Sequence, residues 1–429
     1  MKKVGLLVLL CGICHNLLAQ KALEDIKRNP ALAGSQSVLY PVPDGKYTPA
    51  PSGYQPFYLS HYGRHGSRYN NGDLYKYTYQ VLKKAALSGK LTAFGKDTFH
   101  KVELLYNEAN GREGDLTTIG AQQHKDIAAR MYKNFPEIFA GQTTTIDARS
   151  TIVIRSILSM ENALQQLCAL NPHIAIKHDA SLHDMYFLNY NDKKIDSTRL
   201  ATKKLQKQLN EKYVKCDRLM EKIFADEAYR KDSVDAKKLF FYLFKLATHT
   251  ENSEISKPVD LASIFTPEEL YGQWMVNNAM WYVKYANAKE TGYAMPKTQV
   301  NLLRNIIVEA DSCLKLNHPS ATLRYGHDTV LLPLLCLMEI DGADKRMKIE
   351  DLAENGWRDY TFIPMACNIQ IVFYRSSQSQ KPILVKVLRN EKEAHLSIPT
   401  KSWPYYNWEE VKNHFSAQVS RHETSQFQH

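Results

Sequence analysis

A histidine lies between two arginines in the segment RHGSR at 64–68, which follows the apolar stretch PFYLSHY at 56–62. The stretch predicts a buried strand, and open α/β sheets bind ligands beyond the carboxyl ends of their strands. Guanidinium groups bind two phosphate oxygens at once and stay charged, so Arg64 and Arg68 predict a phosphate site. A neutral imidazole in such a site can attack phosphorus, which makes His65 a candidate nucleophile.

Two further predicted strands end in residues of matching chemistry. In LRYGHDTVLLPLL, His327 and Asp328 stand between an apolar strand and a helix, and Arg149 ends the strand in TIDARST. Asp328 is a candidate proton donor for the leaving group, and His327 can donate a hydrogen bond to phosphate. The alternatives are structural, with Asp328 as a helix N-cap and His65 as a hydrogen-bonded core residue. Gly66 is expected to let an anion approach the backbone.

Composition narrows the class of partner. The chain has 429 residues, of which 44% are apolar and 23% charged, and a formal net charge of +10, which suits a soluble globular protein with an anionic ligand. Its lysines are scattered through amphipathic stretches such as TKKLQKQLNEKYVKCDRLMEKIF at 202–224, which predicts a solvated helix face. We therefore expect a small anionic partner and no nucleic acid.

No cofactor or metal is expected from the sequence. Two arginines repel a divalent cation, and the short carboxylate clusters of two-metal phosphatases do not occur near them. The chain has seven cysteines, and the five that lie beyond the expected signal peptide are odd in number, widely spaced and free of any CxxC pair, so neither a zinc site nor a disulfide framework is indicated. The sequence leaves one or two disulfide bridges open.

The first twenty residues, MKKVGLLVLLCGICHNLLAQ, have the basic start and short apolar run of a secretory signal peptide. We expect cleavage near Ala19 or Gln20 and a periplasmic or secreted product. A lipoprotein anchor on Cys11 or Cys14 is the alternative, although bulky residues precede both cysteines. No stretch reaches the roughly 20 apolar residues of a membrane-spanning helix.

The order of elements predicts an α/β fold. After a loop-like region at 21–52, strand signals at 56–62 and 143–151 alternate with helix signals at 116–135 and 154–170, which indicates parallel strands. Between 172 and 296 the pattern is helical, with a capping-box start at Thr266 and Glu269. A helix at 297–315, a strand at 321–328 and a hairpin then follow. The predicted organisation is a signal peptide at 1–20, an α/β core at 21–171 and 297–429, and an inserted helical cap at 172–296.

Taken in order, these motifs resemble those of the histidine acid phosphatases, which include phytases and multiple inositol-polyphosphate phosphatases. RHGSR resembles the family's RHGxR signature, GDLTTIG at 114–120 its second helix start, ARSTIVIRSILS at 148–159 its RST-x3-R element, and GHD at 326–328 its HD dyad. The resemblance, which runs from about residue 53 to 400, implies a mostly parallel sheet flanked by helices, a phosphoglycerate mutase-like core, with a helical cap across a cleft.

The resemblance also implies roles for the site residues. His65 would become phosphorylated, Asp328 would protonate the leaving oxygen, and the scissile phosphate would be bound by Arg64, Arg68, Arg149 and His327. Water would then hydrolyse the phosphohistidine without a metal.

Segments such as YGRHGSRY and FIPMACNIQIVFYR resemble the inositol-polyphosphate phosphatases most. Those enzymes usually carry His-Ala-Glu where this chain has His327-Asp328-Thr329, so the donor would be the Asp of the phytase-type dyad. We therefore expect an exported phosphomonoesterase that hydrolyses myo-inositol polyphosphates such as phytate. The alternatives are an acid phosphatase for sugar phosphates and other simple esters, a mutase, and a protein that binds phosphorylated ligands without turnover.

Overall fold

The computed structural model describes residues 21–43, 45–190, 193–256, 259–378 and 380–424. The expected signal peptide at 1–20 lies outside these residues. Within them, no helix combines the length and the apolar character needed to cross a bilayer.

One mixed sheet forms the centre of the fold, in the order β3-β2-β4-β1-β5-β6-β7, with β8 paired to β6. Strands β3, β2, β4 and β1 are parallel, and β5 runs antiparallel to β1. The sheet therefore has the expected parallel core, extended on one side by antiparallel strands. The strands are β1 Tyr54–Arg64, β2 Thr145–Ser150, β3 Ala175–Asp179, β4 Ser320–Gly326, β5 Asn368–Ser376, β6 Leu384–Arg389, β7 Lys392–Glu393 and β8 Tyr405–Asn407.

Helices flank the sheet on both faces and build a separate helical layer. They are α1 at 21–28, α2 Leu74–Leu87, α3 Ala93–Ala109, α4 Thr118–Asn134, α5 Pro136–Phe139, α6 Ile154–Leu170, α7 Met185–Leu188, α8 Lys193–Ala201, α9 Lys203–Tyr213, α10 Asp217–Ile223, α11 Glu227–Ser233, α12 Ala236–Ala247, α13 Pro267–Tyr285, α14 Val300–Cys313, α15 Asp328–Leu337, α16 Asp359–Phe362 and α17 Trp408–Thr424.

The central strands are covered on both faces, as parallel strands of α/β proteins are. Along β1, Tyr58 and Tyr62 pack into the hydrophobic cluster that contains α14 and α15. Leu59 points the other way, into the cluster that contains α4 and α6. Because adjacent side chains of a strand alternate between faces, the strand is buried along almost its whole length, and its carboxyl end is held rigidly.

The structure differs from the sequence-based expectation in three respects. β3 belongs to the sheet although it lies within 172–296, because its polar, edge-strand sequence AIKHD carries little strand signal. The region 21–52 contains α1 and a 3-10 helix at Pro30–Ser37 instead of loop alone. Finally, α2 and α3 were not anticipated, and they share one hydrophobic cluster with α10, α12 and α13 of the predicted insertion. The helical layer therefore contains helices from before residue 172 as well as from the predicted insertion.

The last long helix of this layer, α13, begins with the predicted capping box. The Thr266 hydroxyl accepts a hydrogen bond from the Glu269 amide at 3.2 Å, and the Glu269 carboxylate accepts one from the Thr266 amide at 2.9 Å. The five cysteines at 168, 216, 313, 336 and 367 are free thiols, so none of the bridges left open by the sequence forms among them.

Replacing Thr266 by Ala removes the acceptor for the Glu269 amide and should lower the free energy of unfolding by about 1 kcal/mol. Thr266→Ser keeps the hydroxyl and should stay near the wild-type value. Urea unfolding followed by circular dichroism measures both. An alanine variant as stable as the serine variant would contradict a stabilising role for this cap.

Candidate active site

Three parallel strands end at one edge of the sheet and bring the predicted chemistry together. In the register of β1 and β4, Arg64 pairs with Gly326, and Ser150 of β2 pairs with Tyr325. His65 is the first residue after β1 and His327 the first after β4, and the centroids of their rings are 5.7 Å apart. The site therefore lies beyond the carboxyl ends of β1 and β4, where the sequence predicted a ligand.

Two glycines allow the RHGSR loop to lie against the start of α4. A Cβ on Gly66 would lie 2.4 Å from the Gly120 carbonyl oxygen, and one on Gly120 would lie 2.2 Å from the Ser67 carbonyl oxygen. Both distances are far shorter than a carbon can tolerate, so any side chain at either position would push the loop away from α4. The space beside Gly66 is thus filled by Gly120, and the expectation that it serves an approaching anion is wrong.

The His65 ring is fixed in the tautomer that nucleophilic attack requires. Its Nδ1 lies 2.9 Å from the Gly66 carbonyl oxygen, which can only accept a hydrogen bond. Nδ1 therefore carries the proton, and Nε2 keeps its lone pair. The side chain is only 2% exposed, and burial, reinforced by Arg64, Arg68 and Arg155, holds the pKa of His65 well below its usual range. The imidazole is therefore neutral and nucleophilic at neutral pH.

Arg64 connects the loop to Asp328. Its Nη1 donates to three carbonyl oxygens, those of Gln36 at 2.6 Å and of Ile363 and Pro364 at 3.0 Å each. Its Nη2 lies 2.7 Å from Asp328 Oδ2, in an ion pair at the first residue of α15. The carboxylate is 13% exposed, so it is sheltered yet reachable from the cleft. Arg64, the residue directly before His65, thus fixes the position of the Asp328 carboxylate.

Two more arginines at the site have buried hydrogen-bond donors that no described residue satisfies. The Nε atoms of Arg68 and Arg155 are buried and have no hydrogen-bond partner among the described residues. Burial lowers the pKa of Arg68 to about 10 and that of Arg155 below its usual value, yet Arg68 still carries its charge at neutral pH. Buried donors without acceptors are costly, and an oxyanion bound between them would satisfy both.

Arg149 does not join this cluster, contrary to the sequence-based expectation. Along β2 the side chains of Ile146, Ala148 and Ser150 are buried on one face, so Arg149 lies on the opposite face. There its guanidinium pairs with Asp147 at 2.7 Å, and with Asp179 at 3.5 Å and Asp184 at 3.7 Å. Arg155, the second arginine of the RST-x3-R element, is the residue that reaches the site, from the first turn of α6.

Hydrogen bonds to a residue of β1 and to the residue after β2 fix the position of His327. Its backbone amide donates to the Tyr62 hydroxyl at 3.3 Å, and its Nε2 lies 3.2 Å from Thr151 Oγ1. Burial lowers the pKa of His327 to about 4, so the ring is neutral at neutral pH. Thr151 and Tyr62 are supporting residues that sequence reasoning missed, although Thr151 stands in the RST motif.

The helical layer places the buried cation Lys245 beside the site. Lys245 of α12 is unpaired among the described residues, and burial, with Arg68 and Arg64 nearby, lowers its pKa to about 8. It lines a cavity of about 210 Å³ together with Gln36, Asn277, Met280, Trp281, Lys284 and Tyr285. The Gln36 carbonyl accepts a hydrogen bond from Arg64, so this cavity adjoins the candidate site. Nothing in the sequence distinguished Lys245 from the other lysines of the chain.

Comparison with known proteins decides the family. Residues 63–390 match the model of the histidine phosphatase superfamily (branch 2). The chain belongs to this family. It is therefore a phosphatase, and the resemblance inferred from its motifs is confirmed. No group of three His, Cys, Asp or Glu side chains that could hold a metal ion occurs in the described ranges.

Solved structures of phosphatases are similar in fold to this chain. The multiple inositol polyphosphate phosphatase of Bifidobacterium longum, in complex with inositol hexasulfate, has a TM-score of 0.72 at 18% identity, covering 90% of this chain and 98% of that one. The phytase from D. castellii has a TM-score of 0.64 at 14% identity, covering 91% and 85% respectively. None of the curated proteins compared with this chain matches it. The likeness confirms the fold, an α/β core with a helical domain.

The two arginines of the RST-x3-R element give a sharp test of the site. Replacing Arg155 by Ala removes a donor to the phosphate and should lower kcat/KM by about 100-fold or more. Arg149→Ala is the matched control, and we expect kcat/KM within a few-fold of wild type because its guanidinium faces away from the site. Steady-state kinetics with one phosphate ester measures both. A severe loss with Arg149→Ala and a mild one with Arg155→Ala would reverse the assignment.

Proposed function

We propose that this protein is a phosphomonoesterase that hydrolyses myo-inositol polyphosphates, such as phytate, through a phosphohistidine. The observation that carries the mechanism is the His65 tautomer: Nδ1 donates to the Gly66 carbonyl oxygen, so the Nε2 lone pair is available beside unsatisfied arginine donors.

In the first step, His65 Nε2 attacks phosphorus and the phosphorus–oxygen ester bond breaks. Asp328 must enter this step as the carboxylic acid; it gives its proton to the departing oxygen and becomes a carboxylate, so the alcohol leaves neutral. In the second step, water attacks the phosphohistidine, Asp328 takes a proton from that water, and the phosphorus–nitrogen bond breaks. The products are the alcohol and inorganic phosphate, and His65 and Asp328 return to their starting states.

The phosphate is bound by the groups that have free donors toward it. Arg64 offers Nη2, which also contacts Asp328, and Arg68 and Arg155 offer buried Nε groups. His327 adds a further hydrogen bond. As charge moves from the attacking nitrogen to the leaving oxygen, these fixed donors stabilise it without reorganising.

The substrate class is proposed from the charge beside the site. Lys245 and Lys284 line the adjoining cavity, and neither ammonium group has an ion-pair partner among the described residues. Two free cations next to a phosphate site favour a substrate with more than one phosphate over a simple ester. The inositol hexasulfate bound by the Bifidobacterium longum protein likewise carries several anionic groups on one ring.

We also propose export. The basic start and apolar run at 1–20 have the pattern of a cleaved signal peptide, and a mature N-terminus near residue 20 or 21 in the secreted or periplasmic fraction would establish it.

Replacing His65 by Ala removes the nucleophile, so phosphate release from phytate should fall to background. Arg64 keeps its other contacts, and circular dichroism should show an intact fold. The same assay compares wild-type kcat/KM on phytate and on glucose 1-phosphate, with phytate expected to be the better substrate. Appreciable turnover by His65→Ala would contradict the phosphohistidine mechanism. A strong preference of the wild-type enzyme for glucose 1-phosphate would contradict only the proposed substrate class.

The ammonium group of Lys245 should make substrate preference depend on pH. Its pKa is lowered to about 8, so it loses its charge as the pH rises through that value. The KM for phytate should therefore rise between about pH 7 and pH 9, more steeply than the KM for glucose 1-phosphate. Lys245→Gln, which is neutral throughout, should have a high phytate KM that lacks this additional rise. Parallel pH profiles for both proteins would refute the assignment.

A further inference from the structure

A second cavity lies in the helical layer, away from the catalytic cluster. It has a volume of about 720 Å³. Helices α9, α12 and α13 line it, together with the segment that connects α9 to α10. This volume is within the range of about 300 to 1,000 Å³ that is usual for small-molecule sites. It is larger than the 210 Å³ cavity that Lys245 lines.

Lysines converge on this cavity from three directions. Lys203 and Lys207 are one turn apart on α9, Lys215 precedes α10, and Lys237 extends from the first turn of α12. Of these, Lys203, Lys215 and Lys237 have no ion-pair or hydrogen-bond partner among the described residues. Lys207 approaches Glu211 only at 4.0 Å, in an exposed pair that contributes little. The lysines of 202–224 are thus more than a solvated face, because three of them line one concave site.

The remaining lining residues define what kind of anion fits. Phe241 and Val214, both half-buried, provide apolar contact, and Gln206, Asn210 and Gln273 provide amides. Glu211 and Asp217 are the acidic members, so lysines outnumber carboxylates four to two. A ligand that matches has several anionic groups at its rim and a face of C–H groups to lie on the phenyl ring. A phosphorylated cyclic polyol has both properties.

We propose that this lysine cavity is a second, non-catalytic binding site for a ring-shaped polyphosphate. It is distinct from the reacting site, because Lys237 and Lys245 are two i+4 steps apart on α12, about 12 Å along the helix axis. Lys237 and Gln273 line this cavity, whereas Lys245 and Asn277, farther along the same two helices, line the smaller cavity beside Arg64. The proposal concerns binding alone and does not depend on the chemistry of His65.

Isothermal titration calorimetry with inositol hexasulfate, which is not hydrolysed, tests it. Wild-type protein should bind two molecules per chain, and the double variant Lys215→Ala/Lys237→Ala should bind one, or bind the second at least tenfold more weakly. Lys177→Ala/Lys204→Ala is the matched control, because it loses the same charge from exposed lysines outside the cavity, and it should bind two. Arg68→Ala should lose the other site and keep the lysine cavity.

Two outcomes would overturn the proposal: a single binding site in the wild-type protein, or an equal loss of binding in the control and the Lys215/Lys237 variant. Amine acetylation read by mass spectrometry gives a check on wild-type protein alone, since the ligand should protect Lys215 and Lys237 but not Lys204. Hydrolysis of p-nitrophenyl phosphate by the Lys215/Lys237 variant should equal that of wild type. Loss of that activity in every protein would instead count against the phosphatase mechanism.

Discussion

The site depends on the burial of several arginines around one neutral histidine. Guanidinium groups removed from water must find acceptors, and Arg64 finds three backbone carbonyls and a carboxylate. Arg68 and Arg155 each keep a buried donor that no described residue satisfies. Burial, reinforced by the same positive charge, lowers the pKa of His65 and so keeps its lone pair free. One arrangement therefore prepares both the proposed anion site and the proposed nucleophile.

The rest of the fold holds this unfavourable cluster in place. β1 is buried on both faces and ends at Arg64, and β4 beside it delivers His327 and Asp328 at the same edge. The contact of Gly66 with Gly120 fixes the loop against α4, which in turn packs on α6, the helix that carries Arg155. The helical layer then supplies Lys245. The charged groups are thus held by elements whose own stability comes from apolar packing.

Much of this could be predicted from the sequence, and the exceptions have physical causes. Strand ends followed by Arg, His and Asp are local signals, so the positions of His65, His327 and Asp328 at one edge of the sheet followed from parallel pairing. Arg149 was misplaced because whether a side chain at a strand end faces the site depends on the strand's register, and the alternation along β2 sends it to the far face. Arg155 was within the quoted motif, but only the packing of α6 shows its direction. α2 and α3 were missed because their apolar faces are completed by the distant α10 and α12.

The most direct test of this account is to look for the covalent intermediate. Turnover with phytate is quenched within milliseconds under basic conditions, which preserve phosphohistidine, and the peptide that carries His65 is analysed by mass spectrometry. The account predicts one phosphate on His65 at early times, lost when substrate is exhausted and absent from His65→Ala. Phosphate on another residue, or a phosphate burst with no modification of His65, would contradict it.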